Sequence, residues 1–338
     1  MSKKPALVPL HQLTPGPPAD FFALLADKQH GTTRDGKPYF ACKFRDLRRT
    51  VSVMVWADSP QFAAAEGWQP GGFFKIRGTF TEHEKYGPQV DLVQIREVTD
   101  TDRAAGFREA DFYDRSRFDS DVMLRDLRAV AENEIKDDPL RRLTVDLLDA
   151  HADALKHLPA SDRRFYPFPG GWLEHVLNVT RNCLFLADRY AHHYPDLTPP
   201  LNRDLIVAAA ILHDIGRAVE LGVPDVPGAP AEPTVDGRLF GHLLLGRDLI
   251  RDAAAKVPEL NPELLKLLEH VVVSHLTLPE WGSPRLPAIP EVLVLHHADD
   301  LDAKLEMYVR NLTRDTAAGP FTDPDPILKK PLLKRREV

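Results

Sequence analysis

The chain has 338 residues, 43% hydrophobic and 28% charged, which suits about two folded domains and excludes wholesale disorder. No run reaches the roughly 18 apolar residues of a membrane span, and the start, MSKKPALVPLHQL, lacks a signal-peptide core, so a cytoplasmic protein without a membrane partner is expected. The net charge of −7 excludes a basic nucleic-acid coat protein, so any contact with nucleic acid needs a local patch or a metal. Cys42 and Cys183 stand far apart, which excludes a disulfide scaffold and a cysteine-based zinc site and fits a reducing compartment.

In chain order, residues 1–18 read as an N-terminal arm and residues 19–100 as strands. PYFACKF follows an Asp35-Gly36 hairpin signal. TVSVMVW sets Val51, Val53 and Val55 on one face, and FFKIRGTF and QVDLVQIREV are further β-rich runs. Gly71-Gly72 and Gly87-Pro88 mark turns, and SPQFAAAEGW is a short helical insert. About five strands in so short a stretch predict a small Greek-key barrel of OB type. Such barrels bind single strands through aromatic platforms and a basic groove. Tyr39, Phe44, Trp56 and Tyr86 are the candidate aromatics, each as readily placed in a barrel core. Lys37, Lys75 and Arg77 are candidate cations, and Lys43, Arg45, Arg48 and Arg49 crowd into seven residues. A solvated strand edge explains that cluster equally well.

TDTDRAAGFREADFYD leads into and fills most of a linker at residues 101–120. Apolar residues then recur every three or four positions, predicting an all-helical domain over 121–315 with two Pro-rich loops, GVPDVPGAPAEPTVDG and TLPEWGSPRLPAIP. Residues 316–338 form a basic tail, read as mobile. Nine of the 14 histidines fall between His175 and His297. The sharpest signal is LIVAAAILHDIGR, an apolar helix ending in His213 and Asp214. Neighbours on a helix differ by about 100°, so both can face one ion only at a helix end or bend. A buried His-Asp pair is costly without a compensating partner, which a metal supplies. A capping histidine beside a solvated aspartate is the plain alternative. His175, His242, His270, His275 and Asp299 also sit among apolar neighbours on separate helical runs. Mixed imidazole and carboxylate donors suit Mn²⁺, Fe²⁺, Co²⁺, Ni²⁺ or Zn²⁺ better than Ca²⁺.

The order His175, His213-Asp214, Asp299 resembles the HD superfamily of metal-dependent phosphohydrolases. His242 and His275 resemble the added ligands of its six-ligand, two-metal variant. GHLLLG, SHLTLPEWGSPRLP and LHHADDLDAK are similar to blocks of the YhaM-type 3′→5′ exoribonucleases, which also place an OB-fold before the HD domain. The resemblance spans about residues 15–312. It implies His175, His213, Asp214, His242, His275 and Asp299 as metal ligands, with Asp214 bridging two ions and Asp300 the competitor for the closing position. Asp300 and Asp302 are otherwise read as capping or solvated. Arg217 stands where the family usually has lysine and is the candidate phosphate contact, joined by Lys304. Leu276 replaces a second histidine often found there. His270 is read as substrate-side or structural, and His296 and His297 as packing groups or groups that support the ligands from behind. The implied cofactors are two divalent transition ions, Mn²⁺ first, with Co, Fe, Ni or Zn as alternatives. The implied activity is 3′→5′ hydrolysis of single-stranded RNA, with single-stranded DNA as a second substrate, to nucleoside 5′-monophosphates. Hydrolysis of free nucleotides or cyclic dinucleotides under a regulatory barrel, and a non-catalytic nucleic-acid-binding module, are the competing readings. No G-x-S-x-G or Walker A run supports a serine hydrolase or P-loop enzyme.

Overall fold

Alternating burial builds the first unit. In β3 (Thr50–Trp56), Val51, Val53 and Val55 are fully buried, as period-two patterning predicts. In β4 (Phe73–His83), Phe74, Ile76 and Phe80 share the inner face. With β1 (Ala19–Thr32), β2 (Pro38–Arg45) and β5 (Gly87–Glu97), these strands close a five-stranded barrel in the order β1-β2-β3-β5-β4. That is the OB-type barrel expected, and its core is filled by Phe21, Leu25, Phe44, Phe74 and Ile76. The insert helix α1 (Phe62–Glu66) turns Ala65 into that core. The computed structural model describes residues 7–83, 86–222 and 231–335. The head of the arm, residues 84–85, half of the first Pro-rich loop and the last three residues lie outside them.

The segment read as a linker is folded. Helix α2 (Asp100–Ala104) opens on a capping box between Thr99 and Asp102. Asp102 accepts two bonds from Arg96, at 2.5 and 2.8 Å, and one from Lys75 at 3.3 Å. Phe107 and Phe112 pack beside Leu24 of β1. The tail is also held: Phe321 bridges Leu333, and Lys334 pairs with Asp315 at 2.5 Å. Residues Met1–Asp114 and Asn311–Val338 accordingly form one unit, and Arg115–Arg310 form the other. Both cysteines are buried and free.

The second unit is helical. It comprises α3 (Ser120–Glu134), α4 (Asp138–Ala150), α5 (Ala152–His157), α6 (Gly171–His193), α7 (Arg203–Leu212), α8 (Arg217–Glu220), α9 (Val235–Ala254), α10 (Pro262–Ser274) and most of α11 (Pro290–Arg314). Side-chain N-caps start several of them: Asp119 on α3, Asp137 on α4, Asn202 on α7, Thr234 on α9 and Asn261 on α10. Every residue of α7 from Leu205 to Leu212 is buried, so α7 is the central rod of the unit. Among the described residues, no helix is long and apolar enough to cross a membrane.

The Asp102 cluster yields a pH-dependent prediction. Its bonds from Arg96, aided by Thr99 and Lys75, hold the Asp102 carboxyl well below the usual carboxylate range. The stabilisation is therefore present above the ordinary value near 4 and is lost as pH falls through the lowered one. Asp102→Asn should lower barrel stability by about 1.5–3 kcal/mol at pH 7, with the gap to wild type closing under acid. Hydrogen exchange of the β4–β5 amides checks this.

Candidate metal centre

The turn 213–216 lies between α7 and α8. His213 is the first residue past α7, and its Nδ1 bonds the Ala210 carbonyl at 2.8 Å. That carbonyl is one of those left unpaired in the last turn of a helix. His275 repeats the arrangement after α10, its Nδ1 on the Val272 carbonyl at 2.7 Å. A carbonyl only accepts, so Nδ1 donates in both rings and Nε2 faces inward with its lone pair. His175, on α6, places Nδ1 2.7 Å from Asp302 Oδ2, and His242, on α9, places Nδ1 3.4 Å from Glu220 Oε1. All four rings are thus tied by one nitrogen and offer the other.

The offered atoms converge. His175 Nε2 lies 3.1 Å from Asp299 Oδ1, and His213 Nε2 lies 4.0 Å from the same oxygen. His242 Nε2 is 3.2 Å from Asp214 Oδ1. His275 Nε2 is 3.9 Å from both Asp214 Oδ1 and Asp299 Oδ2. The donors of His175, His213 and Asp299 lie within 4.8 Å of one another, as do those of His213, Asp214 and His275. His213 is common to both groups. Asp214 directs Oδ1 at His242 and His275, while its Oδ2 faces Arg217 at 3.5 Å. All six side chains are buried.

Chemistry makes this donor set fit a divalent transition ion. Nε2 of His175, His213 and His242, with Asp214 Oδ1, are buried without a hydrogen bond. Each such orphan costs about 1–3 kcal/mol, so four at one point call for a common partner. The electrostatics agree. Burial raises the Asp299 carboxyl, but His175, His213 and His275 outweigh it and hold it at about 2. Burial also raises Asp214, yet Arg217 and the nearby histidines keep it well below the usual range. Burial and the charge of His213 push His275 down to about 4, leaving a neutral imidazole that can ligate. Burial would lower His175, but Asp299 and Asp302 raise it to about 10, so positive charge is favoured between them. Imidazole with carboxylate is the shell of first-row transition ions.

Asp299, not Asp300, reaches the histidines; Asp300, at the cavity wall, pairs instead with Lys304 at 2.7 Å. Asp302 is neither cap nor solvated, contrary to expectation. It stands three residues after Asp299, hence on the same face, and is buried against His175, Tyr166 and Asn178. Arg217 is engaged by Glu220 at 2.6 Å as well as by Asp214. Glu220, which the sequence reading passed over, also accepts from the His242 backbone N–H at 3.1 Å. Only a carboxylate one turn beyond Arg217 could have flagged it. His270 Nε2 accepts from Ala288 N–H at 3.0 Å, and its side chain does not line the cavity. His296 bonds the His275 carbonyl at 2.8 Å, and His297 is exposed.

In the barrel unit, Phe44, Lys75, Arg77 and Arg49 leave the candidate surface. Phe44 is core, Lys75 serves Asp102, and Arg77 grips Asp20 at 2.5 Å. Arg49 donates to the Leu13 carbonyl at 2.7 Å and lies over Phe80. Arg45 donates to the Phe112 carbonyl at 3.1 Å. Lys37, Lys43, Arg48, Trp56 and Tyr86 are exposed. On the outer face of β2–β3, Tyr39 pairs in register with Trp56 and Lys43 with Ser52.

The ligand cluster opens into a cavity of about 760 Å³, lined also by Arg164, Arg217 and Lys304. Residues 172–304 match the HD domain model. The match indicates a metal-dependent hydrolase domain over these residues. Among solved structures, the chain is similar to a domain of replication protein A from Methanococcus maripaludis, at 11% identity and a TM-score of 0.23, covering 27% of this chain and 94% of that one. It is also similar to the second single-stranded DNA-binding protein of Mycobacterium smegmatis, at 13% identity and a TM-score of 0.21, covering 28% and 97%.

The Asp302–His175 contact sets a test. Removing a carboxylate that orients a metal-bound histidine typically costs 10–100-fold in affinity. Asp302→Asn should weaken Mn²⁺ binding by about that factor while circular dichroism stays unchanged.

Proposed function

We propose that the protein is a metal-dependent 3′→5′ exonuclease that shortens single-stranded RNA, and single-stranded DNA in second place, releasing nucleoside 5′-monophosphates. The observation that carries it is the set of four imidazoles, each tied through Nδ1 and each turning Nε2 on one pair of carboxylates. His175, His213 and Asp299 would hold one ion. Asp214 and His275 would hold a second, with His242 beside Asp214 and His213 between the two. When bound, such ions activate water and neutralise phosphate charge. The protein's own groups then orient the reactants. Arg217 keeps Asp214 ionised and aimed. Glu220 and Asp302 fix the ring planes of His242 and His175. Lys304 and Arg164, on the cavity wall, supply positive charge towards an incoming phosphodiester.

The barrel supports a polymeric substrate. Small OB-type barrels receive oligonucleotides on the face of strands two and three. Here that face carries Trp56, with its ring 5.3 Å from Tyr39, and the exposed Lys43. Stacking with a nearby cation is tolerant of sequence, which suits an enzyme that moves along a strand.

The test uses an oligonucleotide labelled at its 5′ end and the intact protein. Wild type with Mn²⁺ should give a descending ladder and nucleoside 5′-monophosphates, faster than with Mg²⁺, whose preferred shell is oxygen. Asp214→Ala should abolish cleavage with the helical signal retained. Elemental analysis should find two ions per chain, falling to one in His242→Ala. Hydrolysis confined to free or cyclic nucleotides, or full activity in Asp214→Ala, would overturn the proposal.

A further inference from the structure

The cavity has a second character that the ligand cluster does not use. Beside its acidic floor it is walled by large aromatic side chains, among them Trp281 and Phe240. Both are about half exposed, at 49% and 54%. Aromatic surface left open inside a concave site marks a place for a flat apolar partner.

Both rings are fixed by the chain that supplies the metal ligands. Trp281 lies six residues after His275, in a short turn Pro279–Trp281 closed by bonds from Trp281 N and Ser283 N to the Leu278 carbonyl. Its ring stacks on His296 at 6.2 Å and 27°, and His296 is anchored to the His275 carbonyl. Phe240 lies two residues before His242. Gly241 between them has φ 69°, a backbone break inside α9 that only glycine takes readily. The two segments abut, since a Cβ on Gly282 would lie 3.9 Å from Leu243 Cδ1. The rings therefore stand on the His242–His275 side of the cavity, where Asp214 also directs its Oδ1.

We propose that Trp281 and Phe240 form a nucleobase subsite, taking the base of the terminal nucleotide by stacking while its phosphate reaches the metal cluster. The ligand class is a nucleoside 5′-monophosphate unit, and the inference rests on the nuclease reading above. Stacking favours any base over none, so the subsite selects for the presence of a base rather than its identity.

Calorimetry on the intact, Mn²⁺-loaded protein compares adenosine 5′-monophosphate with ribose 5-phosphate, which lacks the base. Wild type should bind the nucleotide about tenfold more tightly. Trp281→Ala should remove most of that preference with metal content and ribose 5-phosphate affinity unchanged. Trp281→Phe should restore most of it, and Phe240→Ala should lower it several-fold. Equal affinity for the two ligands in wild type, or a preference untouched in both alanine variants, overturns the subsite. A protein that keeps the preference but leaves oligonucleotides intact would instead overturn the exonuclease reading while the subsite stands.

Discussion

One constraint governs the helical unit: two side chains adjacent in sequence must enter one cavity. His213 and Asp214 cannot do so from a continuous helix, so α7 stops at Leu212 and a four-residue turn follows. That turn is clamped from two sides. Trp172 of α6 donates its indole N–H to the Asp214 carbonyl at 2.8 Å. At Gly216, a Cβ would come within 2.0 Å of the His242 carbonyl and 2.5 Å of the Gly246 backbone N. The missing side chain lets α9 close on the turn, and this contact brings His242 to Asp214. Gly216 has an ordinary helical φ, so its role is close approach rather than backbone freedom. The buried stretch Leu205–Leu212 supplies the anchor that the turn needs.

The same economy orients the rings. Two ligands use helix C-termini, where an unpaired carbonyl is already present to fix Nδ1. The other two use carboxylates, Asp302 and Glu220, each tied to a further partner: Asp302 to Tyr166 at 3.3 Å, Glu220 to Arg217. Tyr166 holds φ at 41°, a strained value for a bulky residue. Its hydroxyl, its backbone N–H to Glu306 at 3.1 Å and its carbonyl to Ala160 N–H at 3.1 Å are all engaged, which keeps it there. Strain beside His175 is consistent with a site whose geometry is imposed before any substrate arrives.

Much of this was legible in the sequence. Period-two runs gave the barrel, and the valines of β3 lie on the face expected of them. The HD pair at the end of an apolar run located the turn, because composition alone made a buried carboxylate there anomalous. The unread parts share one cause: they depend on where a side chain's far end finds a partner. Arg49 and Arg77 look like groove cations in sequence, yet reach the Leu13 carbonyl and Asp20. Asp302 looks like one solvated acid in a run of three, yet helix phase sets it behind His175. The linker looks polar, yet Phe107 and Phe112 are enough to fold it onto Leu24.

Charge balance bears on the number of ions. Asp214, Asp299, Asp302 and Glu220 crowd into the site with Arg217 as their close guanidinium. With the histidines neutral, as metal ligands must be, four carboxylates against one guanidinium leave three negative charges, and the protein as a whole carries −7. An anionic phosphodiester would be repelled from such a cavity at several kcal/mol for close pairs in a partly buried site. Arg217, one charge with Nε on Asp214 and Nη1 on Glu220, does not reverse this. Lys304 is paired with Asp300 at 2.7 Å. One divalent ion would leave the cluster negative, and two would make it positive. Under the proposed hydrolysis of a phosphodiester, the acid count at the site therefore suits a pair of ions better than one, independently of any count of ligands.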